Sequence, residues 1–190
     1  MKKTLLALAA LGAFAGAASA QSSVTLFGVV DLNGRWLNND GVKQYSLSQD
    51  GLAPSRLGFR GTEDMGGGLY AGFWIEGATN PDIGTSGGQS WQRRSTISLS
   101  NQLGELRLGR DETATYKNTG EFDPFGDTGL AAAGNLTMRP PAVPVGGAYN
   151  NLVRANNMIG YFLPAGTAGG LCGQLQVAAG ENAYGNKFFG

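Results

Sequence analysis

The chain has 190 residues, with 14 basic and 14 acidic side chains, 32 glycines, one cysteine and no histidine. This balance excludes the strong basic field that nucleic-acid binding needs. The missing histidine excludes a Ser-His-Asp hydrolase and removes the commonest metal ligand, and the single Cys172 excludes an internal disulfide. Glycine stands far above its usual share of about 7% and is scattered at turns and strand ends, as in a many-stranded all-β protein.

Met1-Lys2-Lys3-Thr4 is a basic start, Leu5 to Ala17 an alanine-rich apolar run, and Ala18-Ser19-Ala20 a small-residue cleavage signal. This order predicts a secretory signal peptide over residues 1–20, with Gln21 the first mature residue. The apolar run is shorter than the roughly 20 residues that span a bilayer. Lys2 and Lys3 fall in the leader, which leaves 12 basic residues against 14 acidic. No later stretch is apolar enough for a membrane helix, so residence in a membrane requires a closed barrel of strands. Such strands alternate in polarity and leave overall hydropathy low.

Residues Ser23 to Arg35 read as a strand, with Val24, Leu26, Val30 and Leu32 on one face and Thr25, Asp31, Asn33 and Arg35 on the other. Trp36 to Pro54 reads as an exposed loop. Ser55 to Gly77 reads as a hairpin around a glycine-rich turn. Leu57 and Phe59 oppose Arg56 and Arg60 in its first strand. Leu69, Ala71, Phe73 and Ile75 oppose Tyr70, Trp74 and Glu76 in its second. After a Gly/Thr/Ser-rich loop, Arg93 to Ser100 sets Ile97 and Leu99 against Arg94, Thr96 and Ser98. A tight turn at Asn101–Gly104 leads to Glu105–Arg110, where Leu106 and Leu108 oppose Glu105 and Arg107. Arg110 is in register with the leucines and joins the polar wall only if the strand ends or bulges at Gly109. Val153 to Leu163, with Ile159 and Tyr161 on one side, and Leu171 to Gly180 supply two more strands, and Gly185 to Gly190 reads as an interrupted loop.

Short and long connections alternate along these strands, as the two ends of a membrane barrel require; a soluble secreted sandwich is the rival fold. Arginine facing lipid at the midplane costs about 2–4 kcal/mol, so the polar-face arginines must meet water or protein. Asp111 to Asn151 is an insert of about forty residues without a sustained period, a length uncommon unless functional. It carries Asp111, Glu112, Glu121, Asp123 and Asp127, then an apolar stretch at Gly129–Gly134 and Pro140, Pro141 and Pro144. An acidic insert across from a basic wall sets up a transverse field of the kind that selects ions.

Several ordered motifs then carry a resemblance over the whole chain. They are Ser22-Ser23-Val24-Thr25-Leu26-Phe27-Gly28 with Asp31 just after, Ser55-Arg56-Leu57-Gly58-Phe59-Arg60-Gly61-Thr62-Glu63-Asp64 with its triple-glycine turn, and Leu103-Gly104 through Leu108-Gly109-Arg110. Phe122-Asp123-Pro124-Phe125-Gly126 and Arg154-Ala155-Asn156-Asn157, followed by Tyr161 and Pro164, complete the set. The chain resembles the Gram-negative general porins of the neisserial and beta-proteobacterial type. The resemblance implies an all-β, transmembrane antiparallel β-barrel of about sixteen strands, of which about seven are present here. It implies residues 21–190 as the N-terminal part of a longer protein, and residues 111–151 as a constriction loop folded into the lumen.

The implied activity is passive diffusion of small hydrophilic solutes and ions, mildly favouring anions, with no catalysis and no cofactor. The implied setting is the outer membrane of a Gram-negative cell, with lipid, lipopolysaccharide and two further copies in a homotrimer as partners. Wall arginines are expected at Arg56, Arg60, Arg94 and Arg110, and with Arg35 and Arg107 these form the basic pore-lining set. Asp111, Glu112, Glu121, Asp123 and Asp127 form the acidic set. Met158 and Gly160 depart from the family pattern, since polar residues are expected at those interior positions. A non-conducting structural barrel, or a truncated fragment without function, is the alternative.

Overall fold

The computed structural model describes residues 23–85, 90–129, 131–134, 153–164, 170–180 and 188–190. The predicted leader, the proline cluster of the insert and residues 185–187 lie outside them. The elements in chain order are β1 (Ser23–Val29), β2 (Leu32–Asn39), β3 (Val42–Gln49), β4 (Arg56–Gly66), β5 (Leu69–Ala78), β6 (Arg94–Asn101), β7 (Gly104–Glu112), α1 (Ala114–Glu121), β8 (Arg154–Leu163), β9 (Gly173–Ala178) and β10 (Phe188–Phe189). Eight strands form one sheet in the order β1-β4-β5-β6-β7-β8-β9-β10, and β2 pairs with β3 separately. Every pairing is antiparallel. β4, β5 and β8 have 11, 10 and 10 residues, within the roughly 9–11 that a tilted membrane strand needs.

Register decides which side chains share a face. Leu26 pairs with Phe59 and Phe59 with Ile75, while Phe73, Ile97, Leu108, Ile159 and Val177 pair in succession across five strands. The result is one continuous apolar face, and it is open: Leu26 is 63% exposed, Ile97 61% and Leu175 72%. Among the described residues nothing covers it. Among the described residues the buried hydrophobic side chains are Ala132, Ala155, Met158 and Ala178, too little for the dry interior of a soluble sandwich.

The hairpin expected at Ser55–Gly77 is present as β4 and β5. Its turn needs Gly66, Gly67 and Gly68, which all take positive φ (84°, 64° and 79°) that side chains with a Cβ rarely adopt. Two expectations upstream are corrected. The single strand over Ser23–Arg35 breaks at Val30-Asp31 into β1 and β2, and the supposed loop Trp36–Pro54 holds the end of β2 and all of β3, joined by Asp40-Gly41 at φ 50° and 83°. Asp-Gly with positive φ at both residues is the turn that matches strand twist in a two-residue hairpin.

Asp31 closes the break. Its carboxylate accepts the backbone N–H groups of Gly51 (3.1 Å), Leu52 (2.7 Å) and Ala53 (2.9 Å), and its own N–H donates to Ser55 Oγ (3.0 Å). Those N–H groups, Leu52's foremost, hold its carboxyl below the usual aspartate range. One side chain thus ties residues 51–53 to the break between β1 and β2.

The described part of the insert, residues 111–129 and 131–134, carries regular structure. Asp111 and Glu112 end β7, Thr113 caps α1 by accepting the Tyr116 N–H (3.1 Å), and turns follow to Gly129. The ending read as a loop contains β10, whose Phe189 pairs with Val177.

Candidate functional site

The other face of the sheet is polar, and the same ladders assemble it. Arg60 lies beside Trp74, Trp74 beside Thr96, Glu76 beside Arg94 and Ser98 beside Arg107. Trp74 is the hub. The guanidinium of Arg94 lies 4.4 Å from its ring centroid and that of Arg60 5.1 Å, while Phe27 meets it edge-on at 4.9 Å. Its indole N–H donates to Glu76 Oε2 (3.0 Å). Stacks of this kind are worth about 0.5–1 kcal/mol each at exposed sites, and they hold the arginines flat against the wall.

Most of the remaining basic groups are neutralised in place. Glu76 accepts from Arg93 Nε at 2.6 Å and lies 3.7 Å from Arg56. Asp111, 2% exposed, receives Arg107 at 2.5 Å, with Arg94 at 3.7 Å and Lys117 at 3.9 Å. Arg107 grips Glu105 through two N–H groups at 2.9 and 2.7 Å, and Arg154 pairs with Glu112 at 2.9 Å. Arg60 is different: it is exposed, and among the described residues no carboxylate lies within 4.0 Å of it.

α1 lies on the polar face, over β8 and β9. Lys117 sits 4.9 Å from the Phe162 ring centroid, and the Ala114 N–H donates to Gln176 Oε1 (2.7 Å). The cover accounts for the apolar departures at Met158 and Gly160. Met158 packs with Ala155, Ala178 and Phe162, and a Cβ on Gly160 would come within 2.8 Å of the Phe162 ring edge. Burial first, and then Asp127, push the Tyr116 phenol of α1 well above its ordinary value.

Beyond α1 the chain turns around Asp123, whose carboxylate accepts the N–H groups of Phe125 (2.9 Å), Asp127 (2.9 Å) and Ala133 (2.8 Å). These bonds, Phe125's foremost, hold its carboxyl below the usual range. Phe125, Thr128 and Ala131 then share a recess with Asn33 and Arg35 of β2. The described part of the insert therefore crosses the polar face from β9 to β2. Under it lies an open basin of about 770 Å³, with Arg56, Arg60 and Arg94 on the wall and Lys117, Glu121 and Asp127 on the insert.

Of the expected basic set, Arg56, Arg60 and Arg94 thus come together on the basin wall. Arg107 lines an adjoining recess of about 400 Å³, and Arg35 stands apart on β2. Arg110 corrects the expectation. The β7–β8 register does shift beside Gly109, but the extra residue is on β8, at Asn157 (φ 54°), and β7 keeps its pairing with β6. Arg110 therefore stays on the face of Leu106 and Leu108, with Nε donating to Gln92 O (2.6 Å) and a terminal nitrogen to Asn156 Oδ1 (2.5 Å).

Of the acidic set, Asp111, Glu112, Glu121 and Asp127 all line the basin, the first two tied to basic partners, while Asp123 is tied to its own loop. Sequence reasoning did not single out Phe27, Trp74, Lys117 or Gln176 as site residues. Aromatic side chains in polar register were the available signal for Phe27 and Trp74.

The family model described as Gram-negative porin matches residues 7–189. Outer membrane porin protein 32 of Delftia acidovorans is 50% identical over 166 residues, covering 86% of this chain and 46% of the relative. Major outer membrane protein P.IB of Neisseria meningitidis serogroup B is 31% identical over 189 residues, 96% of this chain and 51% of the relative. A solved structure, the anion-selective porin from Comamonas acidovorans, superposes with a TM-score of 0.76 at 44% identity, covering 86% of this chain and 48% of that one. The chain spans about half the length of the curated relatives it matches. A sheet greasy and uncovered on one side, charged and wet on the other, belongs between lipid and water, and with a match over residues 7–189 the chain belongs to the Gram-negative porin family, as part of a transmembrane antiparallel β-barrel of the outer membrane.

Proposed function

We propose that the protein acts as a diffusion porin, passing small hydrophilic solutes and ions down their gradients through a water-filled lumen, with a mild preference for anions. The observation that carries this reading is the basin itself: an arginine wall roofed by an insert that bears Glu121 and Asp127. Charges of opposite sign on opposite sides of a passage orient and sort ions without chemistry, so no catalytic group is required. Residues 111–151 serve as the constriction loop and residues 1–20 as the export leader. The anion preference rests on Arg60, whose positive charge has no carboxylate beside it, and agrees with the anion selectivity named for the solved relative. A homotrimer embedded in outer-membrane lipid and lipopolysaccharide is the assembly proposed for the whole protein.

Planar bilayers test the reading. Addition of the protein under a KCl gradient is expected to give discrete conductance steps and a reversal potential on the anion side. A reversal potential on the cation side contradicts the preference, and the absence of steps contradicts conduction.

A further inference from the structure

Where β7 ends, the chain must leave the wall and turn over the lumen within three residues, Glu112, Thr113 and Ala114. A side chain far away in sequence meets the backbone on both sides of that corner. Gln176, in β9 and 1% exposed, donates from Nε2 to the Glu112 carbonyl (3.0 Å) and accepts at Oε1 from the Ala114 N–H (2.7 Å). Its carboxamide is satisfied on both atoms by main chain, as a strand neighbour's would be.

The pairing is specific to this corner. The Ala114 N–H is one of the first-turn donors that a helix cannot satisfy internally, and Thr113, the capping residue, already uses its hydroxyl on Tyr116. Thr113 in turn donates its own N–H to the carbonyl of Val153 (3.0 Å), the residue before β8, so the start of β8 and β9 hold consecutive residues of the turn. Gly160 lies directly across the ladder from Gln176.

We infer that Gln176 is a positioning residue that clamps the root of α1 to the barrel wall and so fixes how far the insert reaches into the channel. This rests on the porin reading above. It assigns the steadiness of the constriction to a glutamine outside the insert.

The test compares the protein with Gln176→Leu and with Gln174→Leu, a change of the neighbouring polar-face glutamine in the same strand. Trypsin cleavage after Lys117 reads the attachment of α1, and single-channel recording reads its effect on current. Q176L is expected to be cut roughly tenfold faster, the effect of losing two buried hydrogen bonds from a local opening equilibrium, and to show added open-channel noise or substates. Q174L should match the unaltered protein in both. Cleavage of Q176L at the unaltered rate, or faster cleavage with an unaltered current trace, overturns the inference.

If Q176L does not fold, hydrogen exchange in the unaltered protein decides. An Ala114 amide as protected as those of β9 supports the clamp, and one exchanging as fast as the 124–128 turn overturns it. An unaltered protein that carries no current defeats the channel reading alone, because cleavage and exchange still decide the clamp.

Discussion

At the residue scale, two arginines that look alike in sequence are separated by the face they occupy. Arg60 stacks on Phe27 and Trp74 above the basin, whereas Arg110 lies on the apolar face at the end of β7. Replacement of Arg60 by alanine should therefore move the reversal potential toward cations, and replacement of Arg110 should leave it where it was. An equal shift from both would place both in the ion path. The parity of Arg56, Arg60, Arg94 and Arg107 was legible because an unbroken strand alternates. Arg110 was legible only as a question, since a bulge on the partner strand leaves no mark in the sequence of β7 itself. Asp31 and Gln176 were legible only as polar-face residues, because each acts on backbone about twenty to sixty positions away.

At the scale of elements, the chain announces what is strongly periodic and hides what is short. β4 and β5 were read from alternation around three glycines. The second half of β2 and all of β3 were missed because asparagine, serine and glutamine fill one face, yet Leu32, Trp36, Tyr45 and Leu47 still alternate on the other around Asp40-Gly41. α1 was missed for a physical reason: it has 8 residues and none is buried, so it has no apolar stripe to read.

The turn after α1 has a predictable acid response. Because the Asp123 carboxyl is held below its ordinary value, its contribution is present above the unfolded-chain value of about 3.9 and is lost as pH falls through the lower folded value. Pepsin cleavage within residues 122–133 should therefore stay slow at pH 4 and accelerate only in stronger acid. Asp123→Asn should be cut readily at pH 4 already. Identical pH profiles for the two proteins would mean that the carboxylate does not hold the turn.

At the scale of the whole molecule, eight strands of one sheet agree on a single division, with hydrocarbon on one side and water on the other. Every arginine of the basin wall depends on it, as does the insert that crosses that wall. Adjacent residues of β6 test it most directly. In a background with the exposed Cys172 replaced by serine, cysteine is placed singly at Ile97, Ser98 and Leu99 in the protein assembled in outer membranes. Labelling with a hydrophilic maleimide is then compared with quenching of an attached fluorophore by brominated lipid. Ser98→Cys should take the water-borne label, and Ile97→Cys and Leu99→Cys should resist it and be quenched by lipid. Labelling of positions 97 and 99 in preference to 98, without lipid quenching, would contradict the assignment of the two faces.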